Sequence, residues 1–327
     1  LRQESSLKYF LLGAFSSAFF LYGAALVYGF AGTVSLGGIA DAVTGQTQLN
    51  GLLLGGIALM AVGMLFKVAA VPFQSWAPDV YQGSPTPVTA FMASGVKVAA
   101  FGAMLRLFYV GFGGASWDWR PAFWIIAILT FFVGSMVALA QSDIKRMLAY
   151  SSIAHAGFLL LGVIAVTPEG LAATMFYLVT YGLATVGAFG IVMLIRDDSG
   201  ETSSMDAWRG LGRTNPLLAA AFTLFLLSFA GIPLTSGFIG KFAVFSAAAE
   251  AGEGWLVLLA VIASAIAAFF YLRVVVVMFF SDPVGDGPQV AVPSWATKAT
   301  VIVGVVATVV LGILPQPLLD LADKADI

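Results

Sequence analysis

The sequence predicts an all-α polytopic membrane protein, and three observations carry that prediction. Of 327 residues, 60% are hydrophobic and only 10% are charged, whereas a soluble domain carries about 25% charged residues. Mean hydropathy is +0.97, more apolar surface than a soluble fold of this size can cover. The apolar runs are long and continuous, without the alternation of a membrane β-strand.

A bilayer-spanning helix needs about 20 apolar residues. Nine runs qualify: 7–30, 51–78, 87–110, 121–141, 147–166, 170–195, 216–250, 255–280 and 297–314. The chain starts LRQESSLKYF, with no secretory signal and no Met, at the edge of the first run, and this start suggests a longer protein whose N-terminal part is absent. The second contains GMLFKVAAVPFQSW, with Lys67 and Pro72 inside one apolar run. Proline removes a helix donor and clashes with the preceding turn, so this helix is expected to break at Pro72. The third carries Lys97 within a repeated KVAA. Trp117 and Trp119 precede the fourth, and Trp255 and Trp295 stand at later ends, as interfacial aromatics do. The fifth contains His155, and the sixth is uninterrupted. The seventh, with SFAGIPLTSGFIGKF, is expected to break around Gly231, Pro233 and Gly237, just before Lys241.

Loops alternate sides, so the basic residues sort by loop. One side receives Arg2, Lys8, Lys145, Arg146, Arg196, Arg209, Arg213, Arg273 and Lys298; the other receives Arg106, Arg120 and Lys324. The positive-inside rule then places the start of the chain in the cytoplasm. Lys67, Lys97 and Lys241 are left over, each within a helix.

Composition also excludes functions. A net charge of −2 gives no support for nucleic-acid binding. With no cysteine and one histidine, disulfides, iron–sulfur clusters and Cys-based zinc sites are excluded, and a bis-His haem or copper site is disfavoured. No cofactor and no metal are therefore expected in this chain.

Lys67, Lys97, His155 and Lys241 all fall near the middle of their runs. A central lysine costs at least ~2.5–3.5 kcal/mol on insertion scales, and intramembrane charges mark function. A row of such groups bridged by water and hydroxyls is what a proton relay needs. The bland readings differ by residue. Arg106 and Arg273 fit snorkelling side chains, Lys145 and Arg146 fit loop anchors, and His155 fits a packing residue as well as a relay group. All 17 acidic residues fall outside the apolar cores, which favours protons over sodium ions and leaves Lys67 without a visible counter-charge.

The two interrupted runs lie five helices apart. Five is odd, so the second unit runs through the membrane upside down, the pattern of inverted repeats with discontinuous helices in transporters. On that pattern the first repeat begins two helices before residue 7.

FKVAAVPFQSWAPDVYQGSPTPVTAFMASGVKVAAF (66–101), QSDIKRMLAYSSIAHAGFLLLG (141–162) and SFAGIPLTSGFIGKFAVF (228–245) closely resemble the antiporter-like membrane subunits of respiratory complex I. The form PDVYQG followed by PTPVTAF is similar to the subunit N branch of that family. The resemblance covers essentially the whole chain. It implies a 14-helix fold of two inverted five-helix repeats, of which residues 1–110 would end the first repeat, 121–280 form the second, and 295–327 supply a final helix and tail. It implies that five helices are absent, one carrying a glutamate that faces Lys67. It places the pumping lysine on Lys67, the bridging lysine on Lys97 and the distal lysine on Lys241, with His155 between them. It implies proton translocation in a bacterial inner membrane, coupled to quinone reduction elsewhere. NADH, FMN, iron–sulfur clusters and quinone would be bound by other subunits. The partners would be a neighbouring antiporter-like subunit, small membrane-arm subunits and the lipid bilayer. The alternatives are a subunit of a multisubunit cation/proton antiporter, disfavoured by the VYQG form and the absence of membrane carboxylates, and a non-pumping structural subunit.

Overall fold

A computed structural model describes residues 2–44, 51–197, 200–283 and 287–324. The helices are α1 (Arg2–Ala31), α2 (Leu36–Thr44), α3 (Gly51–Lys67), α4 (Trp76–Gly83), α5 (Thr86–Ala93), α6 (Gly95–Leu105), α7 (Ser116–Leu139), α8 (Ile144–Ala165), α9 (Pro168–Val192), α10 (Leu211–Thr214), α11 (Pro216–Ala230), α12 (Ser236–Ala248), α13 (Gly254–Phe280), α14 (Trp295–Ile313) and α15 (Gln316–Asp323). Three short strands, β1 (Ile195–Asp197), β2 (Gly200–Glu201) and β3 (Gln289–Val290), form an antiparallel sheet in the order β2-β1-β3.

Among the described residues, seven helical stretches are long and apolar enough to cross a bilayer, with α3 and α11 as shorter apolar helices. One of the seven, Ser236–Phe280, has 45 residues. At 1.5 Å per residue it would be about twice the bilayer core in length. It is instead divided at Gly252, whose φ of 92° turns the chain between α12 and α13.

α8 is the centre of the molecule. Within it, every residue except Arg146 and Tyr150 is buried, so it is enclosed on all sides and the polar residues it carries, Lys145, Ser151, Ser152 and His155, are buried with it. Small residues let its neighbours approach. A Cβ on Gly134 of α7 would lie 2.5 Å from the Ala154 nitrogen, and one on Gly157 of α8 would lie 2.6 Å from the Phe131 nitrogen. Close backbone contact through small residues is how membrane helices gain packing without a hydrophobic drive. α9 encloses the opposite side of α8 and is itself mostly buried. α1 and α14 are peripheral and expose large apolar side chains such as Phe10, Phe15 and Ile302.

One face gathers the basic loops, as the alternation of loops predicts. Asp79 of α4 receives Lys8 of α1 at 2.6 Å and Arg146 of α8 at 2.7 Å. Asp143 caps α8 by accepting from the Arg146 amide at 2.9 Å and bridges to Ser204. Arg273 reaches the Leu139 carbonyl, and Arg213 pairs with Asp282 at 2.9 Å. Lys145 is more than a loop anchor: its side chain is buried and donates to the Ser84 carbonyl at the end of α4 at 2.7 Å. On the other face Arg120 pairs with buried Glu253 at 2.6 Å.

A buried line of lysines, imidazole and hydroxyls

Both expected breaks exist, with boundaries that differ from the sequence reading. The first begins before Pro72. α3 ends at Lys67, and Ala69 takes a left-handed conformation at φ 58°. The Ala70 amide closes back on the Leu65 carbonyl at 2.9 Å. Pro72 follows inside the gap, after a cis peptide with Val71. Neighbouring side chains satisfy the freed backbone: the Val71 amide donates to Thr130 Oγ1 of α7, and Trp76 Nε1 donates to the Phe66 carbonyl, both at 3.0 Å. Buried backbone groups need such partners.

The second break spans Gly231 to Thr235, and Pro233 sits within it. Gly231 has φ 82°, a left-handed C-cap that glycine adopts without strain. Gly237 is not part of the break but the second residue of α12. It is there for proximity: its amide donates to Ser228 Oγ at 3.1 Å, and a Cβ would strike the Ser228 backbone. A third interruption, at Ser94 between α5 and α6, was not legible in the sequence; Ser94 Oγ donates to the Ala90 carbonyl at 2.6 Å.

Lys97, His155 and Lys241 are all buried, each with its own set of hydrogen-bond partners. Lys97 Nζ donates to Ser152 Oγ at 2.6 Å and to the Ser152 carbonyl, and Ser152 Oγ lies 3.5 Å from the Tyr81 hydroxyl. His155 Nδ1 lies 2.6 Å from the Tyr177 hydroxyl, and Nε2 lies 3.2 Å from the Tyr271 hydroxyl. The Tyr271 hydroxyl also hydrogen-bonds with Ser151 Oγ. Lys241 Nζ donates to the Phe229 carbonyl at 2.8 Å, the Ala230 carbonyl at 3.1 Å and Ser264 Oγ at 2.9 Å. The break after Ala230 exposes the last carbonyls of α11, and Lys241 of α12 reaches back to two of them. A cation at the negative end of a helix is the favourable arrangement.

Aromatic rings join these groups. The Tyr181 ring lies 5.4 Å from Lys97 Nζ, and its centroid is 4.7 Å from that of His155. The Phe158 ring lies 4.9 Å from Lys241 Nζ and 5.9 Å from the His155 ring. Rings within about 6 Å of an ammonium attract it.

Lys67 stands apart. It is half-buried and lines two cavities: one of about 270 Å³ with Ser16 and Ser17 of α1, and one of about 660 Å³ that also touches Ser5, Ser84 and Arg2. Among the described residues it makes no hydrogen bond or ion pair. The described residues contain no group of three or more His, Cys, Asp or Glu placed to hold a metal ion.

Sequence reasoning found the cations and missed their partners. Ser151, Ser152 and His155 share one helical face by their i, i+3 and i+4 spacing, as do Tyr177 and Tyr181, and that spacing is the signal in the sequence that marks them. Ser264 and Tyr271, two turns apart on α13, carry the same signal.

Two interrupted helices, a lysine beside each break and a buried set of lysine, imidazole and hydroxyl groups define an antiporter-like membrane protein. The chain belongs to the family described as NADH:quinone oxidoreductase/Mrp antiporter, TM, which matches residues 1–267. It is 62% identical over 325 residues to NADH-quinone oxidoreductase subunit N of Rhodococcus opacus (strain B4), covering 99% of this chain and 60% of that protein. The chain thus spans about 60% of the length of that curated relative. Among solved structures, respiratory complex I from Thermus thermophilus with bound aureothin matches at 42% identity and a TM-score of 0.83, over 97% of this chain and 68% of that one. The Mrp complex from Dietzia sp. DQ12-45-1b matches at 24% identity and a TM-score of 0.86, over 98% and 67%, a likeness of fold alone.

Proposed function

We propose that this chain forms the proton-conducting part of a membrane-arm subunit of NADH:quinone oxidoreductase. The observation that carries the proposal is a row of three hydrogen-bonded groups, Lys97–Ser152, Ser151–Tyr271–His155–Tyr177 and Lys241–Ser264, buried between α6, α8, α9, α12 and α13 with the rings of Tyr181 and Phe158 between them. Groups within about 2.6–3.2 Å of one another can exchange protons, and ionisable groups enclosed by membrane helices serve that purpose. Protons pass between Lys67, Lys97, His155 and Lys241, with Lys67 as the station in contact with a cavity. The energy comes from quinone reduction in other subunits, which also hold NADH, FMN and the iron–sulfur clusters.

The finer architecture belongs to the same proposal. Two interrupted helices, each with a left-handed residue and a proline in the gap, support an inverted repeat. Residues 1–110 close one repeat, 121–280 form the next, and 295–327 add a last helix and tail, giving nine crossings in this chain. The face holding Lys8, Arg146 and Arg213 lies in the cytoplasm of a bacterial cell, and neighbouring membrane-arm subunits pack on the exposed helices.

Lys97→Met tests the reading, because methionine keeps the apolar stem and removes the ammonium. An assembled complex carrying it is expected to lose most of its proton translocation in proteoliposomes. Normal translocation by an assembled variant would overturn the relay, and loss of assembly alone would favour a structural role.

A further inference from the structure

A groove between α11 and α14 lies outside the proton line. It has a volume of about 550 Å³, within the ~300–1,000 Å³ range of ligand sites. Its polarity is graded. Leu217, Leu218 and Ala221 of α11 face Val301 and Ile302 of α14, while Thr214, Asn215, Thr297 and Lys298 cluster where the two helices begin. Both helices therefore turn their positive ends toward the same rim. Lys298 is exposed and, among the described residues, holds no side-chain hydrogen bond or ion pair. Nearby Arg213, by contrast, is already committed to Asp282. Trp295, 83% exposed, stands one turn before Lys298, at the level where interfacial aromatics sit.

We propose that this groove binds an anionic diacyl phospholipid. One acyl chain lies against Leu217, Ala221, Val301 and Ile302, and the phosphate meets Lys298 at the converging helix starts. Apolar depth with a cationic, hydrogen-bonding mouth matches an amphiphile and matches neither a soluble metabolite nor a flat protein surface. Basic pockets between membrane helices bind anionic headgroups on this principle. The inference is independent of the proton pathway, since no residue of the groove belongs to it.

The test uses native membranes containing the full complex, with phosphatidylglycerol carrying a photoactivatable acyl chain. Cross-linked peptides are mapped by mass spectrometry. Adducts are expected to concentrate on 216–221 and 298–302 and to fall severalfold in Lys298→Glu, with a phosphatidylcholine analogue unaffected by that change. Ala221→Trp, which fills the groove, is expected to abolish both. Adducts spread evenly over lipid-facing residues such as Phe269 and Val306, or labelling indifferent to both substitutions, would overturn the proposal. So would a photoreactive residue at position 217 that cross-links to another polypeptide and not to lipid.

Discussion

Tyr271→Phe removes one oxygen atom and leaves the ring. That oxygen joins Ser151 Oγ to His155 Nε2, the latter at 3.2 Å, so its loss strands two buried polar atoms. Each unsatisfied buried group costs about 1–3 kcal/mol, so two of them predict about 2–6 kcal/mol of destabilisation for the assembled subunit. The ring keeps its contacts with Phe270, at 4.2 Å between centroids, and Phe229, at 6.0 Å, so packing changes little. Proton transfer needs neighbours within about 2.6–3.2 Å. With the bridge gone, His155 retains only Tyr177, and translocation is expected to fall at least about tenfold, equivalent to ~1.4 kcal/mol of barrier. The assay is quinone-driven acidification of proteoliposomes, normalised to assembled complex and to NADH oxidation with an uncoupler present. Phe270→Leu serves as the packing control and should leave coupling intact. Wild-type acidification by Tyr271→Phe would refute the assignment of Tyr271 to the pathway.

Three further outcomes follow from the geometry. Gly237→Ala places a methyl group against the Ser228 backbone and is expected to destabilise by about 1–3 kcal/mol or more, read as a lower midpoint of thermal unfolding. Glu253→Ala strands the Arg120 guanidinium and should cost about 3 kcal/mol, near the lower end for breaking a buried pair; a double-mutant cycle with Arg120→Ala should show most of that cost as coupling between the two. Lys67→Ala removes a half-buried cation that holds no partner among the described residues. It is expected to abolish coupled proton uptake, read with a pH-sensitive dye, in a complex that still assembles and still oxidises NADH with an uncoupler present.

The apolar segments, their two breaks and the sorting of basic residues to one face were legible because each depends on local sequence. An apolar run of 20 residues states its own helix, and Lys8, Asp79 and Arg146 meet because loops alternate. The burial of Lys97 and Lys241 followed from their central positions. What the sequence hid is tertiary. Tyr177 and Tyr271 reach His155 from helices 22 and 116 residues away, and periodicity within one helix says nothing of which other helix it faces. Thr130 was equally hidden, since only the packing of α7 on the first break gives it the Val71 amide to accept. Pro72 marked the first break but did not start it: the helix already ends at Lys67, where Ala69 turns left-handed. Lys67, placed by the sequence near the middle of its run, is half-buried beside cavities that α1 lines.

The central claim is that the ammonium of Lys241, held on the freed carbonyls of α11, is a working proton station. The measurement is the ratio of protons translocated to NADH oxidised in proteoliposomes carrying Lys241→Met. The account predicts a ratio well below that of the native complex, with assembly preserved, whereas an unchanged ratio in a fully assembled variant would contradict it.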